Sequence, residues 1–273
     1  MQADRSDVVA RQVRTWLGER HLLLTTDFDG TLSNLAPTPD EAELSGEVQT
    51  ALRTLAAHPR VTLAIVSGRR IEDVRARTGD IASFVGGLHG LEIVGPAGGF
   101  LHPALGRVAP VVADIYRNAT RALAWCRDAV LEDKTYALTL HVRRVPDEEA
   151  AQALGQFVAL AQPALDADLL RVLPGAQVLE LLPAVDWHKG KAVDWIRSAV
   201  DVGPTAGVGV VYLGDDRTDE DAFATLGGRG VSIGVGDRPH DHLIQFRLEG
   251  PASVGRFLDR LCADLPEHPH HAT

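Results

Sequence analysis

The sequence predicts an α/β fold: a doubly wound, mostly parallel sheet interrupted by a smaller α+β domain. Three observations lead there. Uninterrupted apolar runs at 21–26, 61–66 and 208–213 each close on polar, turn-forming residues and are followed by helical patterning, as expected of strands buried on both faces of a parallel sheet. Such β/α units stand near both ends of the chain. Between about Pro103 and Ala184 the pattern changes to long helices and an alternating strand, so one unit is inserted into the other.

Composition narrows the class. Of 273 residues, 45% are hydrophobic and only 5% aromatic, so Leu, Val, Ile and Ala must fill the cores. A formal net charge of -10 argues against nucleic acid as the main partner, since backbone phosphates require a basic face. It leaves room for one small phosphorylated ligand, which a few placed cations, a metal and backbone N–H groups can hold. Cys126 and Cys262 lie in apolar, helix-like stretches and suggest buried thiols rather than a disulfide framework. The first twenty residues lack a basic-then-apolar leader pattern. No run approaches the ~18 apolar residues of a membrane span. A cytoplasmic protein, monomeric or weakly homo-oligomeric, with no membrane partner, is expected.

The elements follow in order. Asp7 to Leu17 forms a short amphipathic helix, and His21 to Thr26 is the first buried strand. Leu44, Val48, Leu52 and Leu55 recur at helical spacing. Val61 to Val66 is the second strand, closed by Ser67-Gly68-Arg69, and Ile71 to Arg77 is a helix. Leu91–Val94 and Phe100–Leu101 flank a Gly/Pro turn and form a hairpin. In the insert, Val111 to Val130 is expected as one long helix. Thr135 to Val145 alternates: Tyr136, Leu138, Leu140 and Val142 point one way, Thr139, His141 and Arg143 the other, which describes a strand covered on one face. Pro146 ends it, Asp147 caps a helix reaching about Leu160, and Ala176 to Leu182 is another strand. Then come a helix over Lys189–Val200, the strand Val208–Leu213, a helix over Asp219–Leu226, strands at Val231–Val235 and His242–Phe246, and a last helix over Ser253–Ala263. The His-rich tail, with His268, His270 and His271, is expected to be disordered.

Chemistry concentrates at strand ends. Asp27-Phe28-Asp29-Gly30-Thr31 follows the first buried strand, and ligands of open α/β sheets bind at the carboxyl ends of strands. Carboxylates so close together repel unless a divalent cation with oxygen ligands relieves them. Gly214-Asp215-Asp216 closes another buried strand, with Asp219 just beyond. Asp219 could simply cap the next helix, but capping does not account for Asp215 and Asp216. Acids at two parallel strand ends, far apart in sequence, are better explained by one metal site. Ser67-Gly68-Arg69 offers a hydroxyl and free N–H groups at a helix start, a place that favours anions. Lys189 opens a later helix; Lys191 reads as a solvated lysine.

These four stations, DFDGT, SGR, a lysine and GDDRTDED, resemble in order the four motifs of the haloacid dehalogenase superfamily. LLTTDFDGTLSNLAP, VTLAIVSGR, GLHGLEIVG, VLELLPAVDWHKGKAV and VYLGDDRTDEDAF look like the trehalose-6-phosphate phosphatase family in particular. The resemblance implies a haloacid-dehalogenase-like core at 1–102 and 185–273 and a mobile cap at 103–184. It implies Asp27 as nucleophile and Asp29 as general acid and base. Ser67, Gly68, Arg69 and Lys189 would bind the phosphoryl group. Mg²⁺ would rest on the Asp27 carboxylate, the Asp29 carbonyl and Asp215, with Asp216 and Asp219 auxiliary. A sugar phosphate would be the small-molecule partner, contacted by His89, Lys134, Glu180 and, more weakly, His141 and Arg143. The family usually has Glu-x-Arg-Pro where this chain has Glu180-Leu181-Leu182-Pro183. The resemblance implies trehalose 6-phosphate as substrate; the departure at Leu182 makes a pseudo-disaccharide (aminocyclitol) or other sugar phosphate the alternative, and an inactive sugar-phosphate sensor is a more distant one.

Overall fold

The computed structural model describes residues 5–36, 38–175, 177–202, 207–237 and 241–265. The chain divides into two compact units: Met1–Ala36, Ala42–Phe100 and Trp187–Thr273 form one, Pro37–Glu41 and Leu101–Asp186 the other. The chain thus crosses after Phe100 and after Asp186, where its patterning suggested 102 and 184.

The first stretch runs α1 (Ser6–Leu17), β1 (His21–Thr26), α2 (Gly46–Ala56), β2 (Val61–Val66), α3 (Ile71–Thr78), β3 (Phe84–Gly87), β4 (Glu92–Gly95) and β5 (Gly98–Leu101). The insert contributes α4 (Leu105–Ala122), β6 (Val130–Asp133), β7 (Leu138–His141), α5 (Asp147–Asp166), β8 (Leu170–Gly175) and β9 (Val178–Pro183). The chain returns with α6 (Lys189–Ala199), β10 (Val208–Gly214), α7 (Arg217–Leu226), β11 (Val231–Val235), β12 (Phe246–Leu248) and α8 (Pro251–Asp264).

The larger unit is built on an eight-stranded sheet of order β12-β11-β10-β1-β2-β3-β4-β5. The pairs from β12 to β3 are parallel, and β4 turns back antiparallel on β3. Successive side chains of a strand alternate between faces, and here both faces are apolar. Leu22, Leu24, Leu63, Ile65, Val211 and Leu213 join one core with residues of α1, α2 and α8. Their neighbours Leu23, Ala64, Val66, Val210 and Tyr212 join a second core with residues of α6 and α7. That double covering is why the runs read as continuously hydrophobic.

Register aligns the strand ends. Thr26 is level with Leu213 of β10 and with Ile65 of β2, and the Asp27 N–H donates to the Leu213 carbonyl at 2.9 Å. Residues just past β1, β2 and β10 therefore emerge side by side.

The insert has its own four-stranded antiparallel sheet, β6-β7-β9-β8. Leu138, Leu140 and Leu181 pack on one face against Val112, Ile115 and Ala119 of α4 and Ala153 and Phe157 of α5.

The insert is also where local patterning misleads. The long helix expected over 111–130 is α4 followed by the separate strand β6. Pro110 lies inside α4 and reads as a helix boundary, yet burial of Leu105, Val108 and Val112 carries the helix through it. Strand β7 is shorter than 135–145, because Thr135 sits at φ +69° in a turn and Arg143 lies in the turn that follows. Asp147 is the first residue of α5 rather than its cap, which is Pro146, and the helix continues past Leu160 and Pro163 to Asp166. Strand β8 was not anticipated, since its closing Pro174-Gly175 reads as a turn. Ala176 lies outside the described residues. Asp216, not Asp219, caps α7. The strand expected at 242–246 is a 3-10 turn over Asp241–Leu243 followed by β12. His268, His270 and His271 lie outside the described residues. Among the described residues no helix is long and apolar enough to cross a membrane.

Candidate active site

Asp27 stands one residue past β1 and is 6% exposed. The Lys189 Nζ, at the first position of α6 and 2% exposed, lies 2.9 Å from Asp27 Oδ1 and 2.7 Å from Asp219 Oδ1. Asp219 is fully buried. Its Oδ1 also accepts the Tyr212 hydroxyl at 2.7 Å, and its Oδ2 accepts the backbone N–H groups of Asp215 and Asp216 at 3.0 Å each. The bond from the Asp216 N–H is one half of a capping box at the start of α7, the other being the Asp219 N–H donating to the Asp216 side chain. Four donors occupy the acceptor positions of one carboxylate, so Asp219 anchors the β10–α7 turn and the Lys189 ammonium together.

Asp215 completes the group. The Thr31 hydroxyl donates to its Oδ1 at 3.1 Å. Gly30 passes so close that a Cβ there would lie 2.1 Å from Asp215 Oδ2, and its φ is +81°. Only glycine meets both demands, which explains why the motif has Gly between Asp29 and Thr31.

Burial sets the electrostatics. It raises the Asp27 carboxyl well above the ordinary range despite Lys189, and Asp219 and Asp215 push the same way. Burial, then the Asp219 charge, lift Asp215 to about 7 against the pull of Lys189. Burial by itself would lower the Lys189 ammonium, but Asp219 and Asp27 more than offset it, and its pKa rises. Three carboxylates thus share a poorly solvated space with one ammonium, which contacts Asp27 and Asp219. Oxygen atoms of Asp27, Asp215 and Asp219 lie within 4.8 Å of one another. An all-carboxylate donor set short of positive charge fits a hard divalent cation. Asp219 already accepts from four N–H and O–H donors, which leaves it the least available of the three to a cation.

Asp29 and Asp216 stand apart from that cluster. The Asp29 carboxylate receives the Arg69 guanidinium in a fork, Nε at 2.6 Å and Nη2 at 2.8 Å, and Arg69 Nη1 also bonds Asp73. Burial opposes the Arg69 charge, but Asp29 and Asp73 outweigh it and raise its pKa. Arg69 therefore orients Asp29 here. The half-buried Asp216 accepts from the Arg217 N–H at 2.7 Å.

Ser67 and Gly68 follow β2. Ser67 Oγ accepts the Arg69 N–H at 3.2 Å. The His89 N–H donates to the Ser67 carbonyl at 2.8 Å, and the Leu88 N–H to the Arg69 carbonyl at 2.9 Å. Leu88 and His89 adopt consecutive left-handed conformations, φ +51° and +59°. Such conformations persist where the surroundings over-determine them. A Cβ on Gly68 would come within 2.8 Å of the His89 ring, so His89 is pressed against the Ser67–Arg69 turn. Trp187 buttresses this loop: its indole N–H donates to the Gly90 carbonyl at 2.8 Å, and its ring stacks on Phe100 with centroids 4.4 Å apart.

The remaining candidates form a second group within the insert. Lys134 Nζ bonds Glu180 Oε1 at 2.7 Å, and the Thr139 hydroxyl donates to the same oxygen at 3.2 Å. His141 Nε2 and Glu132 Oε2 are 2.9 Å apart. Burial opposes ionisation of Glu132, but the His141 hydrogen bond and Lys134 outweigh it and lower its pKa. Register places Thr139 opposite Glu180, so these groups share the sheet face turned away from α4 and α5. Leu182, 1% exposed, lies on that face beside Glu180. Sequence reasoning missed Tyr212, Thr31, Glu132 and Asp73. Tyr212 sits in a strand whose alternation assigns it to the core, and Thr31 in a turn, so neither carries a local signal of its polar role.

A doubly wound parallel sheet with acids at its strand ends and an antiparallel insert is the haloacid-dehalogenase-like fold. A haloacid dehalogenase-like hydrolase from Bacteroides thetaiotaomicron superposes with TM-score 0.62 at 15% identity, over 89% of this chain and 100% of that one. The trehalose-phosphatase family profile matches residues 25–241, and the chain belongs to that family. The C-terminal domain of Candida albicans trehalose-6-phosphate phosphatase shares the fold with TM-score 0.75 at 20% identity, over 94% of this chain and 96% of that one. Aspergillus fumigatus trehalose-6-phosphate phosphatase matches at 27% identity and TM-score 0.60, over 96% of this chain and 98% of that one. The trehalose-phosphate phosphatase of Mycobacterium tuberculosis (strain H37Rv) is 37% identical over 253 residues, 90% of this chain but 63% of the relative. A protein described as an uncharacterized glycosyl hydrolase from the same strain is 36% identical over 270 residues, 96% of this chain and 20% of that protein. The chain thus spans less than two thirds of these mycobacterial relatives.

Proposed function

We propose that this chain is a magnesium-dependent phosphatase that hydrolyses trehalose 6-phosphate to trehalose and phosphate through an aspartyl-phosphate. The observation that carries the reading is Asp27 at a parallel strand end, buried beside Asp215 and held by the Lys189 ammonium. Family membership supports the substrate class. The insert would act as the substrate-specificity domain.

Asp27 and Asp215 would hold Mg²⁺ with help from the Asp29 carbonyl, and the bound ion would offset phosphate charge that otherwise repels Asp27. An Asp27 oxygen attacks phosphorus, forming an aspartyl O–P bond as the bond from phosphorus to the sugar oxygen breaks. Asp29 would take up a proton once the Arg69 guanidinium leaves it for the phosphoryl oxygens; it delivers that proton to the leaving oxygen and later removes one from the water that attacks phosphorus. The second step breaks the Asp27 O–P bond and releases phosphate. Lys189 steadies the Asp27 carboxylate and the phosphoryl oxygens, while Ser67 and the N–H groups after β2 face the same phosphoryl group. Arg69, forked onto Asp29 before substrate arrives, adds its donors to the phosphoryl group, and Asp219 holds Lys189 in place. His89, Lys134, His141 and Glu180 supply sugar contacts.

Purified protein with Mg²⁺ should release phosphate from trehalose 6-phosphate, and Asp27→Asn should abolish release while preserving the fold. Turnover surviving that substitution would remove Asp27 from its role. Leu182 supports a second reading, in which a pseudo-disaccharide phosphate is the substrate. A kcat/KM panel separates the two, and a clear preference for trehalose 6-phosphate ends the second.

A further inference from the structure

Within the larger unit, Arg69 is gripped from two sides. Its side-on edge, Nε and Nη2, forks onto the Asp29 carboxylate at 2.6 and 2.8 Å. Nη1 projects from the opposite side of the guanidinium and donates to Asp73 Oδ2. Asp73 is in the first turn of α3, and its other oxygen, Oδ1, accepts from Arg77 Nη1. Arg77 is in turn fixed on the backbone: Nη1 donates to the Asp73 carbonyl at 3.2 Å and Nε to the Ala42 carbonyl at 3.1 Å. The Arg69 guanidinium carbon also lies 5.3 Å from the centroid of the Phe28 ring, a fully buried side chain between Asp27 and Asp29.

These contacts differ in what the reaction asks of them. The fork on Asp29 has to open, because the same edge of Arg69 serves the phosphoryl oxygens. A guanidinium is planar and rigid, but it ends a long flexible stem, and a stem released on one edge regains conformational freedom unless another contact keeps it in place. Asp73 can do so, since it holds the nitrogen that takes no part in the exchange and is itself tied to a helix and to Arg77. Resting on the phosphatase reading above, we infer that Asp73, backed by Arg77, is a positioning residue that anchors Arg69 Nη1 while the Nε–Nη2 edge passes from Asp29 to the phosphoryl group. Phe28 supports the guanidinium from its face, so the handover needs only a small shift of one edge.

The simpler role of Asp73 is to place an acid in the first turn of α3, where it suits the helix dipole, and to pair with Arg77 four residues on. That role predicts a lower Tm with phosphate affinity unchanged. The test uses Asp73→Ala, Asp73→Asn and Arg77→Met, each made in wild type and in an Arg69→Gln background. KM and kcat for trehalose 6-phosphate, the Kd of inorganic phosphate in the presence of Mg²⁺, and Tm are measured. Loss of a hydrogen bond between charged partners weakens affinity by about tenfold. In Asp73→Ala, KM and phosphate Kd should rise by about that factor with kcat within about threefold, and Arg77→Met should change both in the same direction by less. In the Arg69→Gln background the Asp73 substitutions should change phosphate Kd by less than about twofold, since an anchor has no effect once its guanidinium is gone. Asp73→Asn, which keeps the side-chain shape, and Arg77→Met carry the comparison if Asp73→Ala does not fold. Phosphate affinity unchanged in all three variants overturns the inference, and so does an equal loss with and without Arg69. If wild type binds phosphate yet cleaves no sugar phosphate, the phosphatase reading falls and the phosphate cycle still decides Asp73. Wild type that neither cleaves the ester nor binds phosphate overturns both.

Discussion

Replacing Lys189 by methionine probes the centre of the candidate site, because one ammonium holds two buried carboxylates. Its contacts are 2.9 Å to Asp27 and 2.7 Å to Asp219, and all three groups are at most 6% exposed. At an effective dielectric of about 20, each attraction is on the order of 6 kcal/mol. Much of that is cancelled by the cost of taking the charges out of water. Removing one partner of a buried pair nonetheless strands the others, at about 3–5 kcal/mol. At about 2–4 °C per kcal/mol for a chain of this size, Tm should fall on the order of 10 °C. The loss should depend on pH with a definite sign. The folded pKa values of Asp27 and Asp215 already lie above their unfolded values. The folded state therefore binds more protons than the unfolded chain between those values, and stability declines as pH rises through that window. Without Lys189 both groups rise further, so the deficit should be small near about pH 5 and grow toward about pH 8. Differential scanning fluorimetry across that range, with and without Mg²⁺, measures it, and Asp27→Asn added to Lys189→Met should recover part of the loss as one side of a double-mutant cycle. A Tm within about 2 °C of wild type at every pH, or a deficit that widens toward acid, would refute the charge assignment.

Asp215→Asn removes a carboxylate held up at about 7, so the metal-free protein should melt no lower than wild type at neutral pH, while the upward Tm shift on adding Mg²⁺ should largely vanish. An intact Mg²⁺ shift in this variant would take Asp215 out of the cation site. Gly30→Ala places a Cβ 2.1 Å from Asp215 Oδ2 at φ +81°. It should lower stability by about 1–3 kcal/mol and nearly abolish phosphate release, whereas near-wild-type kcat would show that the close approach is dispensable. Tyr212→Phe deletes one of four donors to Asp219 and should cost about 1.5–3 kcal/mol in denaturant unfolding; a cost below about 0.5 kcal/mol would mean that the hydroxyl contributes little to holding Asp219.

Strand-end chemistry was more legible than the insert. Asp27, Ser67 and Asp215 each sit where a buried apolar run gives way to polar residues and Lys189 opens a helix, and such boundaries are written locally. Their partners were not legible. That Arg69 forks onto Asp29 rather than standing free, that Asp73 shares it, and that Tyr212 reaches Asp219 depend on side chains arriving from other segments. In the insert, β6 and β8 are short, half-exposed edge strands, whose weak alternation competes with the helical pattern before one and the Pro-Gly turn after the other. Helix α4 ran through Pro110 because the packing of its apolar face outweighed a local preference.

By itself the sequence determined the alternation of strands and helices in the larger unit and the double covering of its sheet. These follow from side-chain periodicity, which acts between near neighbours. Only the tertiary structure decided that Asp27 and Asp215, 188 positions apart in the numbering, share one small space with Asp219, where Lys189 pairs with Asp27 and Asp219. That proximity comes from the register of β1 against β10, in which Thr26 meets Leu213. Register is set by how distant apolar surfaces fit together, and no stretch of chain carries it alone.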